Sequence, residues 1–93
     1  MLAFRWSERK NEQLKRERAV SFEGVVAAIE AGGLLDVVEH SDPAKYPGQR
    51  IMIVNLEGYA YLVPMVERPD HVFLKTIIPS RKATRNYLKW RAT

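Results

Sequence analysis

Cysteine is absent from the 93 residues, which excludes a disulfide framework and thiolate-ligated zinc. Histidine is scarce: His40 and His71 are the two copies and stand at no ligand-like spacing, so neither a metal site nor a cofactor is expected. No run approaches the ~20 apolar residues that a membrane helix needs, and no membrane partner is expected. The opening Met-Leu-Ala-Phe-Arg-Trp leads into charges rather than an apolar stretch, unlike a secretory leader, which makes the cytoplasm the expected compartment. A Gly-rich phosphate loop, a Ser-His-Asp arrangement and a paired metal-ligand motif are all missing. One sign of charge also runs out, since no acidic residue follows Asp70.

What is present suits one folded domain over residues 1–93. The hydrophobic share of 46% and charged share of 28% argue against disorder. A chain of this length buries a single modest core. Its net charge of +4 is unevenly spread: residues 1–18 carry six basic and three acidic side chains, residues 19–70 carry three and eight, and residues 71–93 carry six and none. Basic termini of this kind suit a polyanion, because lysine and arginine clusters gain affinity from released phosphate counterions.

The order of elements predicts an α+β domain. Phe4–Trp6 is compatible with a short strand. Ser7 is placed to cap a polar helix running to about Arg18, with Trp6 and Leu14 on a narrow contact stripe. Ser21 caps a second helix, whose Phe22, Val25, Val26 and Ile29 recur at i, i+3, i+4 and i+7, and Gly32-Gly33 ends it. Strands are expected over 34–39, 50–56, 59–67 and 72–78 as an antiparallel meander. A polar loop at 40–48 and a Glu57-Gly58 hairpin turn connect them. Pro64 cannot donate a ladder hydrogen bond, so it implies a bulge, an edge position or an early strand end. Ser80 caps a closing helix to Arg91, with Ala83, Tyr87 and Trp90 on one face and Arg81, Arg85 and Lys89 on another, flanked by Lys82. Its tyrosine and tryptophan read as anchors to the sheet rather than as base-stacking groups.

Several of these residues carry a family resemblance. Phe4-Arg5-Trp6, Lys10 and Val20-Ser21-Phe22-Glu23 are similar to the opening of BrnT-like toxins, and Ile77-Ile78-Pro79-Ser80-Arg81-Lys82-Ala83-Thr84-Arg85 resembles their closing motif. Tyr46–Arg50 and Gly58–Pro64 look more like a divergent branch. The resemblance implies a RelE-like microbial ribonuclease fold, with helices on one face of a small antiparallel sheet and the other face and the closing helix open to RNA. It also implies an mRNA endoribonuclease, ribosome-associated in some settings, that is neutralised by an antitoxin, commonly of the ribbon-helix-helix type. The chain departs from the pattern at Glu17-Arg18-Ala19-Val20, where typical members read Lys-His-Gly/x-Val. It departs again at Ser7, usually Asp, and at Pro79-Ser80, usually Ser-Ala. A fourth departure is Met65, near which a Tyr is common. The loss of a His and a Tyr removes two acid/base groups.

Cleaving RNA at a 2′-hydroxyl requires a base, cations on the phosphorane and an acid for the leaving oxygen. Arg50 and Arg81 match basic family positions and are expected to grip phosphate, Arg81 with help from the start of its helix. Lys10, Lys82, Arg85 and Lys89 are expected to follow the RNA backbone. Glu39, His40, Lys75 and Tyr61 are the acid/base candidates, and Tyr61 is also placed to contact RNA. By strand parity Lys75 shares a face with Phe73 and Ile77. For any single cation other than Arg81, a solvated surface charge is the plainer reading, and for Trp6 and Tyr46 packing is plainer than base stacking. Three functions follow: an antitoxin-regulated endoribonuclease, a non-cleaving member that binds RNA or an operator complex, and an interaction protein whose basic ends clasp an acidic antitoxin.

Overall fold

The computed structural model describes residues 3–88. These form an α+β structure with three helices and one six-stranded mixed sheet. In chain order the elements are β1 (Ala3–Arg5), α1 (Glu8–Arg18), α2 (Phe22–Glu30), β2 (Leu34–Glu39), β3 (Gln49–Leu56), β4 (Tyr59–Glu67), β5 (His71–Leu74), β6 (Ile78–Pro79) and α3 (Arg81–Tyr87). The main path of the sheet is β1-β5-β4-β3-β2, with β6 also pairing to β4.

Each helix begins as its serine predicts. Ser7, Ser21 and Ser80 are extended, and their hydroxyl oxygens accept from the amides of Lys10, Gly24 and Ala83 at 3.2, 3.0 and 3.0 Å. The α1–α2 angle is held by a residue the sequence pattern does not flag. Asn11 is fully buried; its Oδ1 accepts from Phe22 N and its Nδ2 donates to Glu23 Oε1, both at 2.8 Å. Gly33 then turns α2 into β2. A Cβ there would lie 2.8 Å from the carbonyl oxygen of Ala28, so only glycine permits this approach.

Two side-chain layers follow from strand alternation. Met52, Val54, Val63, Met65, Val72 and Leu74 face α1 and α2 and pack with Leu14, Phe22, Val25 and Ile77. All four periodic residues of α2 join this core. Trp6 also belongs here, its ring stacked on Phe22 with centroids 5.6 Å apart. Ile53 and Ala60 face the other way and pack with Ala83 of α3, joined by Leu35, Val38, Leu62, Tyr87 and Leu88.

Four expectations are corrected. The sheet is not wholly antiparallel, because β1 pairs with β5 in parallel; the chain leaves β1 through two helices and re-enters the sheet from the same end. The strand expected at 72–78 divides into β5 and β6. Lys75 therefore lies past the end of β5, and Phe73 and Ile77 do not share a face: Ile77 is buried in the α1–α2 core, while Phe73 pairs with Val66 on the opposite side. Finally, the face opposite α1 and α2 is partly covered by α3 rather than left open. Residues 89–91 of the expected closing helix, with Lys89 and Trp90, lie outside the described residues.

The division of the last strand explains Pro64. A strand residue directs its N and its C=O to the same side, and the Pro64 carbonyl accepts from Lys75 N at 2.8 Å. Its missing N–H therefore faces the gap between β5, which pairs with Met65–Glu67, and β6, which pairs with Tyr61–Leu62. β4 continues through proline unbroken because the lost donor falls where no ladder bond is due.

Candidate functional site: a cleft at the turn end of the sheet

The sheet has two ends. At one, the loop 40–48 joins β2 to β3. At the other, the two-residue turn Glu57-Gly58 joins β3 to β4, with both residues at positive φ and Gly58 N donating to Asn55 Oδ1 at 2.7 Å.

Beside this turn, a cleft of about 430 Å³ opens between the α1–α2 junction and the hairpin. Its polar lining consists of Arg18, Ser21, Glu57 and Tyr61, set on a wall of Ala19, Val20, Gly24, Ala28 and Leu56. The Arg18 guanidinium donates to the carbonyl oxygen of Ile77 at 2.6 Å, which crosses from the end of α1 to the segment before β6. Only Nη1 is used in that bond, so further N–H groups remain to meet an anion. Tyr61 is half-buried, on the same face of β4 as Val63 and Met65, and meets Tyr59 edge-on at 5.7 Å.

Backbone strain gathers at this cleft. Among the described residues, the non-glycine positions with positive φ are Ala19 at 56° and Glu57 at 54°, and both line it. Each costs on the order of 1–2 kcal/mol relative to glycine. Ala19 terminates α1 in the left-handed conformation, which aims Arg18 across toward Ile77. Glu57 carries a carboxylate where a type I′ turn favours asparagine or glycine. Strain of this sort persists where surrounding structure enforces it, and it clusters at functional sites. A second, shallower hollow adjoins the first through Ala28 and Glu57 and is floored by Ala27, Ala31, Gly32, Gly33 and Gly58.

The residues expected to act are divided between the two ends. Glu39 and Arg50 are register partners at the loop end, and His40 follows there. Arg50 is paired by two contacts with Glu67, Nη2 at 2.6 Å and Nε at 2.8 Å from the same oxygen. His40 stacks on Tyr46 at 4.3 Å, and its Nδ1 accepts from Asp42 N at 3.1 Å. Tyr46 is further covered by Lys45, 5.6 Å from the ring centroid.

Arg81 belongs to the other end: Ser80 N bonds the Ala60 carbonyl and Pro79 pairs with Tyr61. Arg50 pairs with Met65, five residues farther along β4, so roughly 16 Å of strand separates the two arginines. They do not grip one phosphate together. The start of α3 also offers less to an anion than expected, because Ser80 already takes the amides of Ala83 and Thr84. Arg81, Lys82 and Arg85 are exposed along α3, Lys75 is exposed beyond β5, and Lys10 is half-buried on α1.

Arg18 and Glu57 were not singled out by sequence reasoning. Arg18 stands where the resembled family has its histidine, which was a usable signal. Glu57 read only as a turn residue, and nothing local distinguishes it. Among the described residues, no cluster of three His, Asp or Glu side chains is placed to hold a metal ion, and no helix is long and apolar enough to cross a membrane. Comparison with known proteins gives no match among family models, curated proteins or solved structures.

Proposed function

We propose that the chain is an RNA-cutting toxin of the BrnT-like kind with a RelE-like fold, held inactive by a cognate antitoxin, and that it acts at the turn-end cleft. The observation that carries this reading is the meeting of a guanidinium, a carboxylate and a phenol, from Arg18, Glu57 and Tyr61, on one strained concavity. Similarity of the opening and closing motifs supports the family assignment, and Arg18 occupies the position at which that family's histidine falls.

The three groups match the needs of transesterification. The Glu57 carboxylate accepts the 2′-hydroxyl proton as the 2′-oxygen bonds to phosphorus. The Arg18 guanidinium stabilises the added charge on the phosphorane. The bond from phosphorus to the 5′-oxygen breaks, and the Tyr61 O–H protonates that oxygen, leaving a 2′,3′-cyclic phosphate and a 5′-hydroxyl. All electrons and protons balance among these groups and the RNA.

The test is induced expression in a bacterial host, with growth and total RNA followed together. Growth arrest with loss of mRNA, abolished by Arg18→Ala and rescued by co-expressed antitoxin, is expected. Normal growth with intact RNA and folded protein overturns it. One observation favours a second reading, a binding module that does not cut. Neither histidine reaches the cleft: His40 stacks on Tyr46, and His71 pairs with Asp70 at 2.8 Å.

A further inference from the structure

We propose that β2 is a pairing edge for a second copy of this chain, and that Asp36, held by Tyr87 of α3, keeps that edge shut. The proposal is independent of RNA cutting and uses none of the cleft residues.

Among the described residues, the outer edges of the sheet differ in what they offer. β1 has three residues, and β6 has two, one of them Pro79, which has no N–H to give. β2 ends the sheet on the other side with six residues, of which Leu34, Leu35, Val37 and Val38 are apolar. A strand of that length and composition invites another strand, because its outward N–H and C=O groups have no ladder partner.

Two features close this edge, and they meet at Asp36. The register with β3 shifts between Leu34 and Asp36, the mark of a bulge, which interrupts the run of outward groups. Beyond the shift, the amide of Val37 donates to Asp36 Oδ1 at 2.8 Å. An amide engaged in this way faces away from β3, as every second residue of an edge strand does. The other carboxylate oxygen, Oδ2, accepts from the Tyr87 hydroxyl at 2.6 Å. Tyr87 and Leu88 join Leu35 and Val38 in the same apolar layer. Asp36 therefore has one oxygen on the edge and one on α3, and the seated end of α3 fixes its side chain over the Val37 amide.

The occupant that fits this edge is a second copy. An antiparallel pair turned about Val37 lets the two Val37 residues exchange both backbone bonds. Each Asp36 then stands opposite Val38 of the other copy, so no like charges are directly opposed there. The same arrangement places the two Asp36 carboxylates on diagonal positions, roughly 7–8 Å apart. Pairing thus needs the amide that Asp36 occupies and also sets its charge against itself. Removing that one side chain lifts both obstacles.

The experiment measures sedimentation velocity over a concentration series for wild type, Asp36→Ala and the double variant Asp36→Ala, Val37→Pro. Amide exchange at Val37 is followed in wild type and Tyr87→Phe. Wild type is expected to be a monomer and Asp36→Ala a dimer that dissociates on dilution. Val37→Pro removes the N–H that the seam requires, yet proline suits an edge strand whose N–H side faces solvent, so the double variant is expected to return to monomer. Tyr87→Phe is expected to speed exchange at Val37 about five- to tenfold while the amides of β4 keep their wild-type rates. A wild type that already dimerises, a folded Asp36→Ala that stays monomeric, or a dimer that survives Val37→Pro overturns the proposal. Should Asp36→Ala not fold, the exchange measurement decides: an unchanged Val37 rate in Tyr87→Phe overturns it, and a selective rise supports it.

Discussion

The two ends of the sheet carry similar groups and use them differently. The loop end holds Arg50, Glu67, His40, Lys45 and Tyr46, and there arginine is taken up by carboxylate, imidazole by phenol and ammonium by the same phenol. The turn end holds Arg18, Glu57, Tyr61 and Arg81, where the one bond made by a cation goes to a neutral carbonyl. A guanidinium spent on a carboxylate has little field left for a substrate, but one anchored by a backbone oxygen keeps its charge. What matters in an arginine is therefore its partner rather than its presence.

The strongest way to break this contrast is to exchange arginines for alanine at both ends. Arg18→Ala is expected to lower RNA cleavage about a hundredfold, the scale of losing one transition-state donor. Arg50→Ala is expected to stay within about threefold, and its half-exposed ion pair contributes no more than about 1 kcal/mol to stability. Rates on a defined RNA and a denaturant curve for each variant check both. Equal losses at the two ends would end the comparison.

A structural change at the turn end comes next. Thr84→Ala leaves the buried Ala60 N–H without its acceptor and is expected to cost about 1–3 kcal/mol in chemical denaturation. Glu57→Gly is subtler, since it relieves the left-handed strain while removing the carboxylate. Stability is expected to change by less than about 1 kcal/mol, as lost strain offsets the extra freedom of glycine in the unfolded chain. Cleavage should nevertheless fall sharply; if it persists, the carboxylate is not the base.

The smallest effects are in pH dependence. The Tyr87 hydroxyl donates to Asp36 Oδ2 at 2.6 Å, and that bond, with burial, raises the phenol above its ordinary 10.0. The folded state thus favours the protonated phenol. Its contribution is complete below about pH 10 and is lost as pH rises through the higher folded value. Thermal midpoints measured into the alkaline range should fall more steeply for wild type than for Tyr87→Phe. At the loop-end corner, Asp70 is lowered by its bond to His71. Its contribution is present above the ordinary carboxylate range and fades as acid protonates it. With a side chain 75% exposed, Asp70→Asn should flatten the acid limb only slightly.

Helix caps, the α2 apolar stripe and the Glu57-Gly58 hairpin were legible in the sequence because each depends on residues within a few positions of one another. The hydroxyl of Ser21 needs only Gly24, and a two-residue turn needs only its own φ angles. Contacts from far along the chain were not legible. The parallel pairing of β1 with β5 depends on where two helices return the chain, and Pro64 survives mid-strand because its neighbour changes from β5 to β6 at that point.

The site divides in the same manner. An α+β chain with basic ends follows from the residues alone, since composition and local periodicity are properties of the chain. Which arginine meets which partner is a matter of tertiary structure. It spent Arg50 on Glu67, carried Arg18 across to Ile77, and set Arg81 beside the strand of Tyr61. The reason is that a local pattern specifies how a segment folds, whereas the field at a side chain comes from whatever the sheet order places within a few ångströms of it.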